Sequence, residues 1–159
     1  MTPEKLPNHE GEFRIYFSPL TQGDLEYVRL LRNRFKEAFV YQKDITKEQQ
    51  EEWFKKYSQQ ERKDYTIFVL KLKEDNQSIG MTSFLKVGDT FELGNNIIDT
   101  PFQGRGYFSE VYRLMKKEVG NEKIFATILP GNEHMIKVYE KLGFKHQGQK
   151  ESLIYMTDY

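Results

Sequence analysis

The spacing of the apolar residues changes at Tyr65, and that change limits the fold more than any other feature of the chain. Before it, Leu25, Val28, Leu31 and Phe35 recur at helical spacing behind Thr21 and Asp24, which have the shape of a capping box. This predicts a first helix over about residues 22 to 36. Thr46 and Gln49 repeat the signature ahead of Trp53, Phe54 and Tyr57, predicting a second, shorter helix after the aromatic loop Phe39 to Tyr41. From Tyr65 the run YTIFVLKLK alternates as a strand does, and the polar EDNQ after it reads as a turn. Ile79 to Val87 forms the next strand. Gly88-Asp89 has two-residue hairpin chemistry, so Phe91 to Ile98 is expected to pair antiparallel with that strand, giving a three-strand meander.

Beyond the meander helix and strand alternate. Phe108, Val111, Tyr112, Met115 and Val119 share one face of a helix from about Tyr107 to Val119. A strand from Lys123 to Leu129, a helix over about 132 to 142 closed by Gly143, and a last strand from Ser152 to Thr157 follow. At the other end, residues 1–10 are polar, carry two prolines and lead into a strand at Phe13 to Phe17. The expected organisation is a loosely held tail over 1–10 and one α/β (α+β) domain over 11–159, since 159 residues with 38% hydrophobic content suffice for one core.

Composition removes several functions. The chain has no cysteine, so a disulfide framework, a thiolate nucleophile and a sulfur-ligated zinc are excluded. His9, His134 and His146 are scattered and form no metal-binding pair, so no metal is expected, and His134 reads as a surface helix residue. No apolar run approaches the ~20 residues of a membrane span and no signal peptide opens the chain, so a soluble cytoplasmic protein is expected. Lys and Arg together number 24, as do Asp and Glu, which argues against a global grip on nucleic acid or anionic lipid.

The chemistry therefore has to come from a local site, and the clearest is Phe102-Gln103-Gly104-Arg105-Gly106-Tyr107-Phe108 between a predicted strand and a predicted helix. Unpaired helix N–H groups and the helix dipole suit phosphate oxygens there, and glycines let the backbone come close. The spacing is neither that of a P-loop nor of a dinucleotide-binding fingerprint, because Ser109 stands where a third glycine would be needed. A helix start that merely needs small residues has the same appearance.

In order and content, Gln103-x-x-Gly106 after a strand, then a helix, a strand, and Asn132 followed by Tyr139 in the run YEKLGF resemble the GNAT N-acetyltransferases. The specific motifs span about Glu92 to Phe144, and the topology agrees from Phe13 onward. The resemblance implies a mixed, mostly antiparallel central sheet flanked by helices, with acetyl-CoA as co-substrate. It implies that backbone amides of Gln103, Gly104, Arg105, Gly106, Tyr107 and Phe108 hold the pyrophosphate, that Arg105 meets phosphate, and that Asn132 flanks the pantetheine arm. Amides at Ile97 and Ile98 would serve as oxyanion donors where the sheet opens. Two positions depart from the family pattern: Phe108 replaces a small residue in the loop, and so does Met135 after Asn132.

Amines attack acyl carbon only as the free base, so a proton acceptor near the thioester is useful. Glu92 is placed like the catalytic glutamate of the histone-modifying branch, acting directly or through water; an exposed strand residue is the alternative. Tyr139 resembles the tyrosine that donates a proton to the departing thiolate in many relatives; a packed core tyrosine is the alternative. Direct transfer in a ternary complex is implied, in keeping with the absence of cysteine. Leu31-Arg32-Asn33, the aromatic loop and the segment leading to Trp53-Phe54 resemble the branch acting on protein N-termini and nucleotide-linked amino sugars. Arg32, Asn33 and Trp53 are thus expected at the acceptor, a small amine carrying phosphate or carboxylate, with Arg32 equally readable as a solvated helix charge. A coenzyme A-binding module without turnover is the rival class, and a nucleic-acid binder ranks below it.

Overall fold

A computed structural model describes residues 13–60 and 64–159, so the expected tail over 1–10 lies outside the described residues. The elements run β1 (Ile15–Pro19), α1 (Leu25–Arg34), α2 (Lys47–Ser58), β2 (Tyr65–Leu72), β3 (Ser78–Val87), β4 (Thr90–Ile98), α3 (Tyr107–Glu118), β5 (Lys123–Ile128), α4 (Glu133–Lys141), β6 (Lys145–Lys150) and β7 (Leu153–Thr157). Both capping boxes form. The Thr21 N–H donates to Asp24 Oδ2 (2.9 Å), and Thr46 and Gln49 exchange bonds of 2.9 and 3.1 Å. Each such cap contributes about 1 kcal/mol to the start of its helix. The first helix is shorter than its pattern: short 3-10 turns occupy Gln22–Asp24 and Lys36–Ala38 on either side of α1.

The strands form one seven-stranded sheet in the order β1-β2-β3-β4-β5-β7-β6, antiparallel except between β4 and β5. It is the mixed α/β architecture expected from the sequence. α1 and α2 cover one face, where Val28 and Leu31 meet Ile67, Val69, Met81 and Ile97. α3 and α4 cover the other, where Val111, Met115 and Tyr139 meet Ile15, Leu70, Ile79 and Leu93.

β4 changes face midway. Its pairing with β3 is Met81↔Ile97 and then Ser83↔Gly94, so Asn95 and Asn96 together stand opposite Thr82, and Asn95 takes the left-handed conformation (φ 49°). One extra residue inverts the side-chain alternation beyond it. Leu93 accordingly faces α3 and α4, whereas Ile97, four residues on, faces α1 and α2. Gly80 lets the two strands close at this point, because a Cβ there would lie 2.1 Å from the Ile97 carbonyl oxygen.

β6 was absent from the sequence expectation. Its six residues, KHQGQK, are all exposed and carry no apolar side chain, so no hydrophobic period marks them. Pairing with β7 alone makes them a strand, and their polarity suits an edge of the sheet.

Candidate active site

The parallel ladder between β4 and β5 is short, joining Thr90, Glu92 and their neighbour Phe91 to Lys123–Phe125 and no further. Past Glu92 the side of β4 turned away from β3 carries no ladder bonds to β5, which pairs with β7 instead. The Asp99 N–H donates to the Ile79 carbonyl (2.8 Å), and alternation along an extended strand then turns the Ile98 N–H and C=O toward the open side. Ile97 is turned the other way, to β3. Of the two expected oxyanion amides, therefore, Ile98 faces the opening and Ile97 does not.

Immediately after β4, the Gln103 side-chain amide returns to the Ile98 carbonyl (2.9 Å), fastening the loop to the strand end. Gly104 (φ 74°) and Gly106 (φ 82°) both adopt left-handed backbone that side chains disfavour, and Gly106 caps α3. The first helical bond of α3 runs from the Glu110 N–H to the Gly106 carbonyl (3.3 Å), so Tyr107, Phe108 and Ser109 precede any intrahelical acceptor. Arg105 is exposed, its guanidinium 5.9 Å from the Phe102 ring. Phe108 is half-buried and packs edge-on against Tyr139 at 5.5 Å.

Beside this loop lies a cavity of about 630 Å³, reaching from Gln103, Gly104 and Gly106 past Ile98 to Asn132 and Met135. The Asn132 side chain caps α4 by accepting from the Met135 N–H (3.3 Å), and exposed His134 sits on the rim. Asn96, Asn132, Met135 and Ala38 also line a second cavity of about 300 Å³, which contains Glu92, Thr127 and Tyr139. The two spaces meet at Asn96. Tyr65 and Asn95 in turn join the second cavity to a third, also about 300 Å³, lined by Arg32, Tyr41, Gln50 and Trp53.

At the meeting point the Asn96 amide donates to the Tyr139 hydroxyl (2.8 Å) and accepts from Thr82 Oγ1 (2.7 Å). Tyr139 is 2% exposed, and burial, helped by the negative charge of Glu92, pushes its phenol far above the ordinary range, keeping it protonated. Glu92 is half-buried and accepts from Thr127 Oγ1 on β5 (2.7 Å). Glu92 and Asn96 stand four positions apart on β4, with the bulge at Asn95 between them, and both line the second cavity. Neither Asn96 nor Thr127 was singled out from sequence; the polar break Gly94-Asn95-Asn96 in an otherwise apolar strand was the available signal.

The three acceptor candidates separate. Trp53 lines the third cavity, with one face stacked on Tyr57 at 5.0 Å. Arg32 lines it too: Nη2 donates to the Tyr41 carbonyl (2.7 Å), the guanidinium lies 3.9 Å from the Phe39 ring, and Nη1 is buried without a hydrogen-bond partner. Burial lowers its pKa from the ordinary guanidinium value. Asn33 is engaged elsewhere. Its amide donates to the Ile45 carbonyl (3.0 Å) and accepts from the Ile45 N–H (2.7 Å), so it holds the loop into α2 and has no free polar atom directed at an acceptor. Among the described residues no cluster of three acids or histidines is placed to hold a metal, and no helix is long and apolar enough to cross a membrane.

Comparison with known proteins agrees with this fold. A domain from Methanocaldococcus jannaschii superposes with a TM-score of 0.72 at 23% identity, covering 90% of this chain and 96% of that one. FdhC, described as a nucleotide-linked sugar GNAT, gives 0.75 at 18% identity over 91% and 85% of the two chains. The spermidine N-acetyltransferase of Vibrio cholerae, solved with CoA and spermine, gives 0.73 at 18% over 91% and 93%. In sequence, an uncharacterized M. jannaschii protein is 27% identical over 89% of this chain, which spans only 31% of that relative's length. The model of the acetyltransferase (GNAT) domain matches residues 14–145, most of the chain, and the protein therefore belongs to the GNAT acetyltransferase family.

Proposed function

We propose that the protein moves an acetyl group from acetyl-CoA to a primary amine by direct attack in a ternary complex. The observation that carries this reading is the continuity of the space: the glycine-loop cavity and the Glu92–Tyr139 cavity share Asn96 and Asn132, so a donor and an acceptor can meet there. The loop amides and the Ile98 N–H are suited to the diphosphate and to the pantetheine arm or thioester oxygen. The amine nitrogen attacks the acyl carbon, and its proton passes through water to Glu92. As the C–S bond breaks, the Tyr139 O–H donates to sulfur, and the proton taken up by Glu92 returns to the phenol through water in the cavity they share. No covalent acetyl-enzyme is needed.

For the acceptor we favour a small amine carrying an anion, a nucleotide-linked amino sugar before a protein N-terminus. Arg32 supports this, because its Nη1 lacks a partner and, among the described residues, no carboxylate lines the cavity it shares with Trp53. A polyamine would call for acids, and among the described residues Glu92 is the one carboxylate lining the two acceptor-side cavities. Thiol release from acetyl-CoA, measured with nucleotide-linked amino sugars, short peptides and spermidine, tests both levels. Fastest release with the amino sugar is expected. Preference for spermidine would overturn the acceptor reading alone, and binding of acetyl-CoA without turnover of any amine would make the protein a non-catalytic binder.

A further inference from the structure

The buried carboxylate of Glu110 lies in the first turns of α3, next to the amides assigned above to phosphate. It is 0% exposed. An uncompensated negative charge there would oppose an anion bound at the same helix N-terminus. Arg14, which stands just before β1 and 96 residues away in sequence, compensates it. The Arg14 N–H donates to Glu110 Oε1 (2.8 Å), and its guanidinium pairs with Oε2. The same guanidinium extends further. Nη2 donates to the Arg105 carbonyl (2.8 Å), and the group lies 4.0 Å over the Tyr107 ring.

We propose that Arg14 is a positioning residue for the diphosphate of acetyl-CoA: it neutralises Glu110 and holds the Arg105 carbonyl so that the loop amides stay directed outward. This rests on the assignment of loop 103–108 to the diphosphate. One guanidinium forms both links because its donors are spread in a planar fork; a lysine ammonium can retain the ion pair yet has no second arm for Arg105. The backbone carbonyl of Arg105 is thereby kept away from the anion, where an oxygen would repel it.

The test compares calorimetric affinity for acetyl-CoA with steady-state rates on acetyl-CoA and on S-acetyl-pantetheine, which lacks the diphosphate. Arg14→Lys keeps the charge balance and is expected to fold, with acetyl-CoA affinity and KM weakened about tenfold. Its kcat/KM on S-acetyl-pantetheine is expected to change far less. Arg14→Met with Glu110→Gln removes both charges and gives a second folded variant, expected to bind acetyl-CoA as weakly as Arg14→Lys. Parental affinity in either variant would overturn the proposal, as would an equal loss on both donors, the mark of a general structural role. Failure of the parent itself to bind acetyl-CoA would instead overturn the loop assignment on which the proposal rests.

Discussion

The proposed donor and acceptor sites beside β4 are formed by different means. The proposed donor site, at the C-terminal end of β4, is offered by backbone: the Ile98 amide, the turns at Gly104 and Gly106, and the first N–H groups of α3. The proposed acceptor site is offered by side chains drawn from α1, α2, β2, β4, β5 and α4, with Arg32, Trp53, Tyr65, Glu92, Thr127 and Tyr139 arriving from separate elements. A backbone site tolerates exchange of most of its side chains and fails when the chain path changes. A side-chain site is sensitive to single atoms and leaves the path unchanged.

The largest expected effect is at the backbone end. Gly106→Pro demands a φ near −65° where the chain holds 82°, so acetyl-CoA affinity measured by calorimetry should fall about 150-fold or more. Parental affinity in the folded variant would remove the loop from the donor site. Next comes Glu92→Gln, which keeps the shape and a partner for Thr127. It should lower kcat/KM about a hundredfold at neutral pH and less at alkaline pH, where more of the amine is already free, with acetyl-CoA affinity unchanged. A pH-independent ratio between variant and parent would deny Glu92 the proton.

Arg32→Ala should act more mildly, raising the KM of an anionic acceptor about tenfold while leaving acetyl-CoA binding alone. An equal effect on a neutral amine would reduce Arg32 to packing on Phe39 and Tyr41. The smallest effect concerns stability. Burial and the Glu92 charge raise the Tyr139 pKa, so its contribution is complete below the unfolded value near 10 and is lost as pH rises toward the folded value. Above about pH 10 the unfolded chain releases that proton and the folded one does not. Stability to urea should therefore fall about 1.4 kcal/mol per pH unit more steeply in the parent than in Tyr139→Phe. Equal slopes would mean that the folded phenol releases its proton as readily as the unfolded one.

The same division governs what the sequence disclosed. Both capping boxes, the Gly88-Asp89 hairpin and the left-handed glycines of the loop depend on residues within a few positions of one another, and the local pattern carried them. The Asn33 amide bonds to the Ile45 backbone across a loop, a contact that no side-chain pattern marks. The bulge at Asn95–Asn96 escaped notice, and with it the reason Ile98 rather than Ile97 faces the opening. The Arg14–Glu110 pair is joined only by the folding of β1 against α3. Such contacts leave no period and no motif; they follow from the sheet order.

That donor and acceptor occupy adjoining cavities along β4 at the same time and meet at Asn96 and Tyr139 is the central claim, and initial rates with acetyl-CoA and the best amine of the panel varied together test it most directly. Simultaneous occupancy predicts double-reciprocal lines that intersect, with no thiol released in a burst before the amine is added. Parallel lines, with a stoichiometric burst of thiol and an acetylated protein, would contradict it.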